Sequence, residues 1–489
     1  MKRALLFITM IGFLIPSACD KDNSSPEKEI IEEVSDSLIP ITILYTNDEH
    51  GWFQEVNDLD GAAGLTGLWK NREGYDGSDN FLILSGGDMW TGAASSTWFQ
   101  GESMVEVMNA MEYDAAAIGN HEFDFTVDGL NTNLTMMDFP LLSANIREKA
   151  TGEIPSFAQP YIIKNIGEIQ VGIIGLSSLS TPRSTFPAYV EDYEFTSYTN
   201  ALNKYAPLAK ADGAEILILI SHLCERELME ITSVAKSNGI YIMGGGHCHQ
   251  QMARNHYGSI LLGSGDNMEG YAKLEFNYNF TKDSIQDFNY ETVSNNQDVI
   301  DDDIRIVVDY WMEETDAELS EVIGYASADI HKSSIEMYNL VCDSWFYEFP
   351  DADISITNAG GIRQDIFTGD ITLGTIVGLL PFENSIVQLE LTGYEVKNCI
   401  NGLIFGGMTT VGGYYLSDGT PIDDQTVYNV LTTDYLYSQP SSNFAQYDDT
   451  PYNTSVHFRQ PLIDWLKSIN TSSSNPLNNY LDSESRFNK

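Results

Sequence analysis

Five of the eight histidines in this chain lie in short polar segments that directly follow apolar runs. The segments read TNDEHG, GNHEFD, SHL and GGGHCH, and the histidines are His50, His121, His222, His247 and His249. Three more polar side chains occupy the same kind of position, namely Asp48, Asp88 and Asn120. A single histidine at such a place is commonly a surface or hydrogen-bonded core residue. Five of them together with carboxylates indicate one shared site.

The donor types in these segments favour a transition metal. Imidazoles mixed with carboxylates suit Zn, Mn, Fe or Co better than Ca or Mg, which prefer shells of oxygen. These donors exceed the four that one tetrahedral ion needs. Two ions that share a bridging carboxylate are therefore the simplest interpretation. The pairs Asp48-x-His50 and His247-x-His249 predict two donors on one side of a short extended segment, because side chains two residues apart share a face there.

The elements that must position these residues are six apolar runs that each end in polar residues. They span residues 41–51, 81–92, 115–124, 215–227, 240–249 and 259–267. Residues 66–74 and 101–113, which lie between runs, have helical periodicity. Alternating strands and helices predict an α/β fold, in which ligands bind beyond the carboxyl ends of the strands.

Composition limits the possible partners. The chain has 489 residues, enough for two domains, and its 71 acidic against 25 basic residues give a formal net charge of -46. Nucleic-acid binding depends on phosphate neutralisation by Lys and Arg, so this charge predicts no nucleic-acid partner. A small phosphorylated substrate would require a local cationic centre.

The first residues predict export. Residues 1–19 contain two basic residues, an apolar stretch and small residues directly before Cys19, which is typical of a lipoprotein signal peptide. Residues 20–38 are acidic and Ser-rich and predict a flexible tether. We therefore expect a periplasmic or outer-membrane/cell-surface lipoprotein of a bacterium, which contacts the membrane only through its N-terminal lipid anchor.

The other cysteines are Cys224, Cys248, Cys342 and Cys399, and none is closely spaced with another. This spacing predicts buried free thiols and no disulfide framework.

The motifs D-x-H-G, G-D-x-x-x-G, G-N-H-E-F-D, S-H-L and G-G-H-x-H occur here in that order, and the set resembles the calcineurin-like metallophosphoesterases. The text TNDEHG, GNHEFDF and SANI is closer still to the secreted 5′-nucleotidase family. The resemblance implies two divalent metal ions (Zn, Mn, Co or Fe), His121 as the catalytic histidine, and Asp124 as the carboxylate that orients it. The implied ligands are Asp48, His50 and His249 for one metal, Asn120, His222 and His247 for the other, and Asp88 as the bridge. Cys248 stands where the family usually has Thr, which we expect to be without consequence.

A second resemblance covers residues 351–396, where NAGGIR, GDIT and LPFEN together are similar to the C-terminal domain of the same family. It implies that Asn358 and Arg363 contact substrate. Thr372 and Thr392 stand where helices are predicted to begin.

This second half also departs from the family. His331 and Lys332 lie near positions where the family has arginines, and Met408 lies near one of its two base-stacking aromatics. The loop that carries the second stacking aromatic in the family reads SQPSSNF here, and Phe444 is its candidate substrate-binding ring. The Asp that binds ribose in the family is missing from this loop. These differences weaken the case for nucleotide specificity without affecting the metal residues.

The resulting prediction is an α/β protein with a four-layer α/β/β/α metallophosphoesterase sandwich over residues 39–300. A linker helix over 301–318 and a C-terminal α/β substrate-binding domain over 319–489 follow. The predicted function is metal-dependent hydrolysis of phosphate monoesters, with 5′-nucleotides giving nucleosides and phosphate. The alternatives are action on non-nucleotide phosphate esters or 2′,3′-cyclic nucleotides, or a catalytically inactive surface binding lipoprotein. The sequence leaves the native metals and the oligomeric state open.

Overall fold

The computed structural model describes residues 38–56, 59–78 and 80–487. The predicted signal peptide, and the predicted tether up to residue 37, lie outside the described residues.

The strands of the described residues include all six apolar runs named above. In chain order they are β1 (Leu38–Thr46), β2 (Phe81–Ser85), β3 (Ala115–Ala117), β4 (Leu141–Leu142), β5 (Ile146–Glu148), β6 (Tyr161–Ile166), β7 (Ile169–Leu176), β8 (Tyr193–Phe195), β9 (Ile216–Ser221), β10 (Ile240–Gly244), β11 (Gln251–His256), β12 (Ser259–Ser264), β13 (Gly270–Asn279), β14 (Ser284–Ser294), β15 (Val322–Ala326), β16 (Ile354–Thr357), β17 (Gly369–Thr372), β18 (Ser385–Thr392), β19 (Ile404–Gly406), β20 (Met408–Thr409), β21 (Tyr415–Leu416), β22 (Val427–Thr433) and β23 (Tyr452–His457).

The α-helices follow in the same order. They are α1 (Gly61–Asn71), α2 (Ala94–Thr97), α3 (Glu102–Ala110), α4 (Thr126–Leu134), α5 (Thr181–Ser184), α6 (Tyr198–Ala211), α7 (Glu225–Ser237), α8 (Asp302–Leu319), α9 (Ile335–Glu348), α10 (Leu373–Leu379), α11 (Gly393–Cys399), α12 (Asp434–Ser438), α13 (Phe444–Tyr447) and α14 (Gln460–Ile469). Short 3-10 turns cover His121–Phe123, Pro187–Val190, Ala359–Gly361, Pro440–Ser442 and Leu477–Tyr480.

Two six-stranded sheets build the first part of the chain. Sheet I has the order β14-β13-β1-β2-β3-β4 and sheet II the order β11-β12-β10-β9-β7-β6. Strand alternation gives each sheet two apolar faces, as β1 illustrates: Ile43 and Tyr45 pack in the core between the sheets, whereas Leu44 packs against the helices outside. Helices α1, α3 and α8 cover sheet I, and α6 and α7 cover sheet II. This confirms the predicted four-layer α/β/β/α sandwich.

The parallel strands of each sheet bring the polar segments together. Strands β1, β2 and β3 run parallel in sheet I, and β9 and β10 run parallel in sheet II. Their carboxyl ends therefore lie at one edge of each sheet, and the stacked sheets place these two edges side by side. The polar segments after all five strands meet there.

A third sheet, of the order β19-β16-β22-β18-β23, forms the core of the second part of the chain. Helices α9, α10 and α14 pack on one face, and α11, α12 and α13 pack on the other. The hydroxyls of Thr372 and Thr392 accept from the backbone N–H of Thr375 and Glu395, so both predicted helix starts are confirmed as N-caps. Helix α8 precedes this region and packs on the first, where Trp311 Nε1 donates to Glu106 Oε2 over 2.9 Å.

Within the described residues, no helix combines the length and the apolar character that crossing a bilayer requires.

Candidate metal centre and active site

Two groups of side chains at the shared edge of sheets I and II could each hold a metal ion. One group is Asp48, His50 and His249, the other is Asp88, His222 and His247, and the ligand atoms within each group lie within 4.8 Å of one another. Each group combines residues from both sheets. The two groups adjoin, since His222 Nε2 lies 4.0 Å from Asp48 Oδ1.

Hydrogen bonds away from the site fix the orientation of the imidazoles. The Nδ1 atoms of His50 and His222 lie 2.9 Å from the carbonyl oxygens of Thr91 and Gly86, respectively. His249 Nδ1 lies 3.1 Å from Asp266 Oδ2. A carbonyl or carboxylate oxygen only accepts, so each Nδ1 carries a proton and Nε2 is the nitrogen that faces the centre.

The facing nitrogens leave a gap that suits a cation. His50 Nε2 and His249 Nε2 are 3.2 Å apart, as are His247 Nδ1 and His222 Nε2. Two lone pairs at this distance repel unless a proton or a cation lies between them. Ligands of one tetrahedral ion with bonds of about 2.0–2.1 Å lie about 3.3–3.4 Å apart, which is close to both separations.

Asn120 supplies an unpaired acceptor at the same place. Its Nδ2 donates to the carbonyl of Ser184 over 3.1 Å, whereas its buried Oδ1 has no hydrogen-bond partner among the described residues. Leaving a buried acceptor unpaired is costly. A metal ion beside Asp88 and His222 would satisfy this oxygen, so the residues present fit the implied metal centre.

Five of the candidate ligands have left-handed backbone conformations. Asp48, His50, Asp88, His247 and His249 have φ between 49° and 70°. This conformation is uncommon for residues other than glycine, and such strain tends to occur at functional sites. The left-handed conformations also show that the ligands of Asp48-x-His50 and His247-x-His249 do not lie on the short extended segments that the sequence predicts. His247 and His249 point into different ligand groups and do not share one side.

The loops that carry Asp88 and Asn120 are fastened by a buried carboxylate that sequence reasoning did not assign. Glu122 accepts hydrogen bonds from the backbone N–H of Gly119, Met89 and Asp88 over 2.6, 2.7 and 2.9 Å. One carboxylate thus holds two ligand loops together. Its position in the quoted motif GNHEFD was the available signal.

Burial and neighbouring charges shift the pKa values of three ligand histidines in different directions. Burial and the nearby Arg363 guanidinium hold the pKa of His50 well below its usual value, and burial lowers the pKa of His247 to about 4. Both rings are therefore neutral at pH 7, as metal ligands must be. Burial also opposes the charged form of His222, but the carboxylates of Asp88 and Asp48 outweigh it and raise its pKa.

His121 and Asp124 form a hydrogen-bonded pair beside the metal groups. His121 Nδ1 donates to Asp124 Oδ2 over 2.6 Å, and the Thr185 hydroxyl donates to Asp124 Oδ1 over 3.0 Å. Burial lowers the pKa of His121, but the Asp124 and Asp88 carboxylates raise it more, so the net shift is upward. Its Nε2 lies 3.9 Å from Asp88 Oδ2 and is free to donate toward the centre.

A cavity of about 280 Å³ connects these groups with the second part of the chain. Asp88, Asn120, His121, Asp124, His247 and His249 line it from one side, and Asn358 and Arg363 line it from the other. Arg363 Nη2 lies 3.1 Å from His50 Nε2, so the guanidinium reaches the edge of the metal groups. The structure brings every predicted site residue except Phe444 to this cavity or to its metal groups.

Phe444 requires a correction. Its side chain is 0% exposed and packs in the apolar core beneath β16 and β22, together with Met408. Neither residue lines the cavity, so Phe444 does not serve as a ring for substrate. An apolar side chain in a loop sequence can as readily be directed into the core, and the loop SQPSSNF gave no sign of which.

The cavity has other aromatic walls that the sequence analysis did not assign. They include Phe382 of the quoted LPFEN motif, Tyr435, and Phe186 and Tyr189 from the segment that follows β7. Phe382 stacks on His121 with ring centres 5.5 Å apart, and the Arg363 guanidinium lies 5.9 Å from the same ring. The motif LPFEN was a signal for Phe382, whereas Tyr435, Phe186 and Tyr189 lie in no motif.

The cysteine prediction is wrong for two residues. Cys224 and Cys248 form a disulfide with Cα atoms 5.1 Å apart, while Cys342 and Cys399 are buried free thiols as expected. The two bonded residues follow different strands, and only the neighbouring positions of β9 and β10 bring them together. Cys248 in place of Thr therefore has a structural consequence.

Sequence comparison identifies relatives of both parts of the chain. Residues 317–410 match the family model of the 5′-nucleotidase C-terminal domain. A 5′-nucleotidase of Vibrio parahaemolyticus is 24% identical over 89% of this chain and 90% of its own length. The endonuclease YhcR of Bacillus subtilis is 26% identical over 83% of this chain. The match covers only 38% of the length of YhcR.

Structural comparison agrees on the architecture. The crystal structure of a 5′-nucleotidase precursor from Thermus thermophilus superposes with a TM-score of 0.77, covering 92% of this chain and 99% of that one at 21% identity. At this identity the similarity establishes a shared fold over both parts of the chain.

Proposed function

We propose that this chain is a two-domain member of the 5′-nucleotidase family, that it hydrolyses phosphate monoesters and that 5′-nucleotides are its main substrates. The observation that carries the proposal is a single cavity, in which two groups of metal-binding side chains adjoin the His121–Asp124 pair and the Arg363 guanidinium. The proposed domains are residues 39–300 and 319–489, with residues 301–318 as the linker.

The proposed ligands are Asp48, His50 and His249 for one ion and Asn120, His222 and His247 for the other, with Asp88 shared. Two bound ions would lower the pKa of an attacking water and neutralise charge on the phosphoryl group. Zn, Mn, Co and Fe all suit the mixed nitrogen and oxygen donors. An overall charge of -46 makes such a cationic centre necessary for an anionic substrate.

The protein's own side chains then position the phosphoryl group and move a proton. Arg363 presents a planar, permanently charged fork that matches phosphate oxygens. Asn358 adds a neutral polar contact on the same wall. His121, oriented and kept basic by Asp124, holds a proton on Nε2 that it can donate to the leaving oxygen.

The organic part of the substrate would pack on the aromatic walls of the cavity. Tyr435 comes from the second domain, while Phe186 and Tyr189 come from the first, and the Tyr435 hydroxyl donates to the Arg183 carbonyl over 3.1 Å. These rings replace the contact expected of Phe444. Because the loop SQPSSNF lacks the ribose-binding Asp expected from the family resemblance, these rings favour a broad substrate range over one nucleobase.

Two alternatives have less support. A nuclease resembling YhcR conflicts with the net charge of -46, which repels a phosphate backbone. A binding lipoprotein without catalysis would not need the intact His121–Asp124 pair. Phosphatases for other monoesters or for 2′,3′-cyclic nucleotides remain alternatives within the same chemistry.

An exported, lipid-anchored location is part of the proposal. The Cys224–Cys248 disulfide supports it, because disulfides persist mainly outside the reducing cytoplasm. Replacing Cys19 by Ser should abolish incorporation of a fatty-acid analogue and release the protein from membranes. Unchanged membrane association would contradict the anchor.

The deciding experiment is a phosphate-release screen of the purified protein with nucleoside monophosphates, sugar phosphates, 2′,3′-cyclic nucleotides and an aryl phosphate. Each would be measured after EDTA treatment and after adding back Mn, Zn or Co. We expect metal-dependent release from several 5′-nucleotides at similar kcat/KM. If none of these phosphate esters were hydrolysed with any of the added metals, the proposal would be rejected.

A further inference from the structure

The disulfide joins the two loops of sheet II that carry metal-binding residues. Cys224 lies two residues after His222, and Cys248 lies between His247 and His249. His249 belongs to one ligand group, and His222 and His247 belong to the other. One covalent bond therefore connects the two loops of sheet II that supply ligands to both metal positions.

Hydrogen bonds hold both ends of the segment that contains Cys248, since the Gly245 N–H donates to the Leu262 carbonyl over 2.9 Å and the Glu225 N–H donates to Gln250 Oε1 over 3.0 Å. The Cys248 N–H, in contrast, donates to Gly246 within the segment. Residues 245–250 belong to no strand or helix. The Gly246 N–H donates to the Leu223 carbonyl over 3.0 Å, and the His247 N–H donates to Asp48 Oδ1 over 3.1 Å. The rings have further contacts, since the Ser180 hydroxyl lies 3.0 Å from His247 Nε2 and His249 Nδ1 lies 3.1 Å from Asp266 Oδ2.

The backbone of this segment would favour another conformation. His247 and His249 have φ of 70° and 53°. Left-handed conformations of such residues persist only where the surroundings impose them. The disulfide adds a covalent constraint at the residue between them, whereas the other loops with left-handed ligands have hydrogen bonds such as those that Glu122 accepts.

The disulfide is also open to solvent, because Cys248 is exposed and Cys224 is half-buried. A reductant in solution can therefore reach it. A disulfide that served only to stabilise a core would have no need to lie beside the ligands.

We propose that Cys224 and Cys248 are positioning residues, whose disulfide holds His247 and His249 in their ligating conformations. The affinity of the centre for a divalent ion then depends on the redox state of this pair. Reduction breaks the S–S bond and yields two thiols, taking two electrons and two protons. With a phosphine as reductant, the phosphine gives these two electrons to the disulfide and becomes the phosphine oxide, while water supplies the oxygen atom of the oxide and the two protons of the thiols. This inference rests on the proposed metal centre.

The test measures metal binding and not turnover. Mn²⁺ is titrated calorimetrically into the metal-free protein, first oxidised and then after reduction with a phosphine. Mn²⁺ is chosen because freed thiolates bind it poorly and so do not replace the lost contacts. Loss of groups that orient metal ligands typically costs about 10- to 100-fold in affinity, and we expect the Kd to rise by that factor on reduction. Reoxidation should restore it.

The matched variant is Cys224→Ser/Cys248→Ser, in which no unpaired thiol remains at the site. It should bind Mn²⁺ like the reduced protein and show no further response to the reductant, which also controls for effects at Cys342 and Cys399. Reduced wild type, made from folded protein, keeps the test independent of how well the variant folds. The melting temperature of each metal-free form is measured alongside. If the disulfide were purely structural, its loss would lower the melting temperature without changing the Kd for Mn²⁺.

The outcomes separate this inference from the proposed function. Equal Mn²⁺ affinity in the oxidised, reduced and double-variant proteins would overturn the positioning role and leave the metal centre intact. An oxidised wild type that binds no divalent ion would overturn the proposed function, and this inference with it.

Discussion

Replacing Asp124 by Asn should test whether this carboxylate acts through His121. Both side chains are nearly buried, with exposed fractions of 10% and 11%, and they share a hydrogen bond of 2.6 Å. Asn keeps the size of the side chain but exchanges a charged acceptor for a neutral one. Charge-assisted hydrogen bonds contribute about 1.5–3 kcal/mol and neutral ones about 0.5–1.5 kcal/mol, so the change costs about 1–2 kcal/mol.

If that energy supports the protonated form of His121 in the transition state, kcat should fall about 5- to 30-fold, since 1.36 kcal/mol corresponds to a factor of ten. His121→Ala removes the proton donor itself and should lower kcat by about 10² to 10⁴. The assay is hydrolysis of an aryl phosphate at saturating substrate, with bound metal measured in every variant. Metal content should stay at the wild-type level, because neither residue belongs to the ligand groups.

The double variant Asp124→Asn/His121→Ala gives the sharpest comparison. If Asp124 acts only by orienting His121, its replacement has no effect once the imidazole is gone, and the double variant matches His121→Ala. A further drop in kcat in that background would refute the reasoning, because Asp124 would then contact substrate or metal directly. Loss of metal in His121→Ala would instead show that His121 is a ligand.

Asp88→Ala should reduce bound metal and abolish hydrolysis while the circular dichroism spectrum is retained; a variant with undiminished metal and activity would exclude the shared-ligand role. Arg363→Ala removes a charged contact of about 1.5–3 kcal/mol and should lower kcat/KM for all nucleotides by about 10- to 150-fold, whereas an effect on one nucleobase alone would contradict phosphate recognition. Tyr435→Ala should lower kcat/KM for nucleotides, relative to kcat/KM for an aryl phosphate, by about 5- to 150-fold, which is the contribution of one stacked base. An equal effect on both substrates would argue against stacking. Phe444→Ala should instead cost about 3–5 kcal/mol in urea unfolding and leave that substrate ratio unchanged, and an altered ratio would return Phe444 to the site.

The sequence by itself predicted which side chains come together at the candidate centre and which elements carry them. Polar residues directly after an apolar run indicate that a strand ends there and that the chain leaves the sheet, which is a local property of the sequence. Because parallel strands end at one edge, this was enough to predict that Asp48, Asp88 and His222 converge. The N-caps at Thr372 and Thr392 were equally local, since the hydroxyl bonds a backbone group three residues away.

Only the tertiary structure decided features that depend on residues distant in the chain. The Cys224–Cys248 disulfide requires β9 and β10 to be neighbours, and no spacing of cysteines encodes that. The left-handed turn at His247 is imposed by its surroundings against local preference, so a reading of the sequence as extended chain fails there.

The substrate wall depended on tertiary structure for the same reason. Phe382 meets His121 only because the second part of the chain packs against the first, and Phe444 lies in the core because its neighbours in β16 and β22 enclose it. An aromatic residue has the same apolar surface to bury in a core or to offer to a ligand. Its place is set by the space that the assembled fold leaves around it.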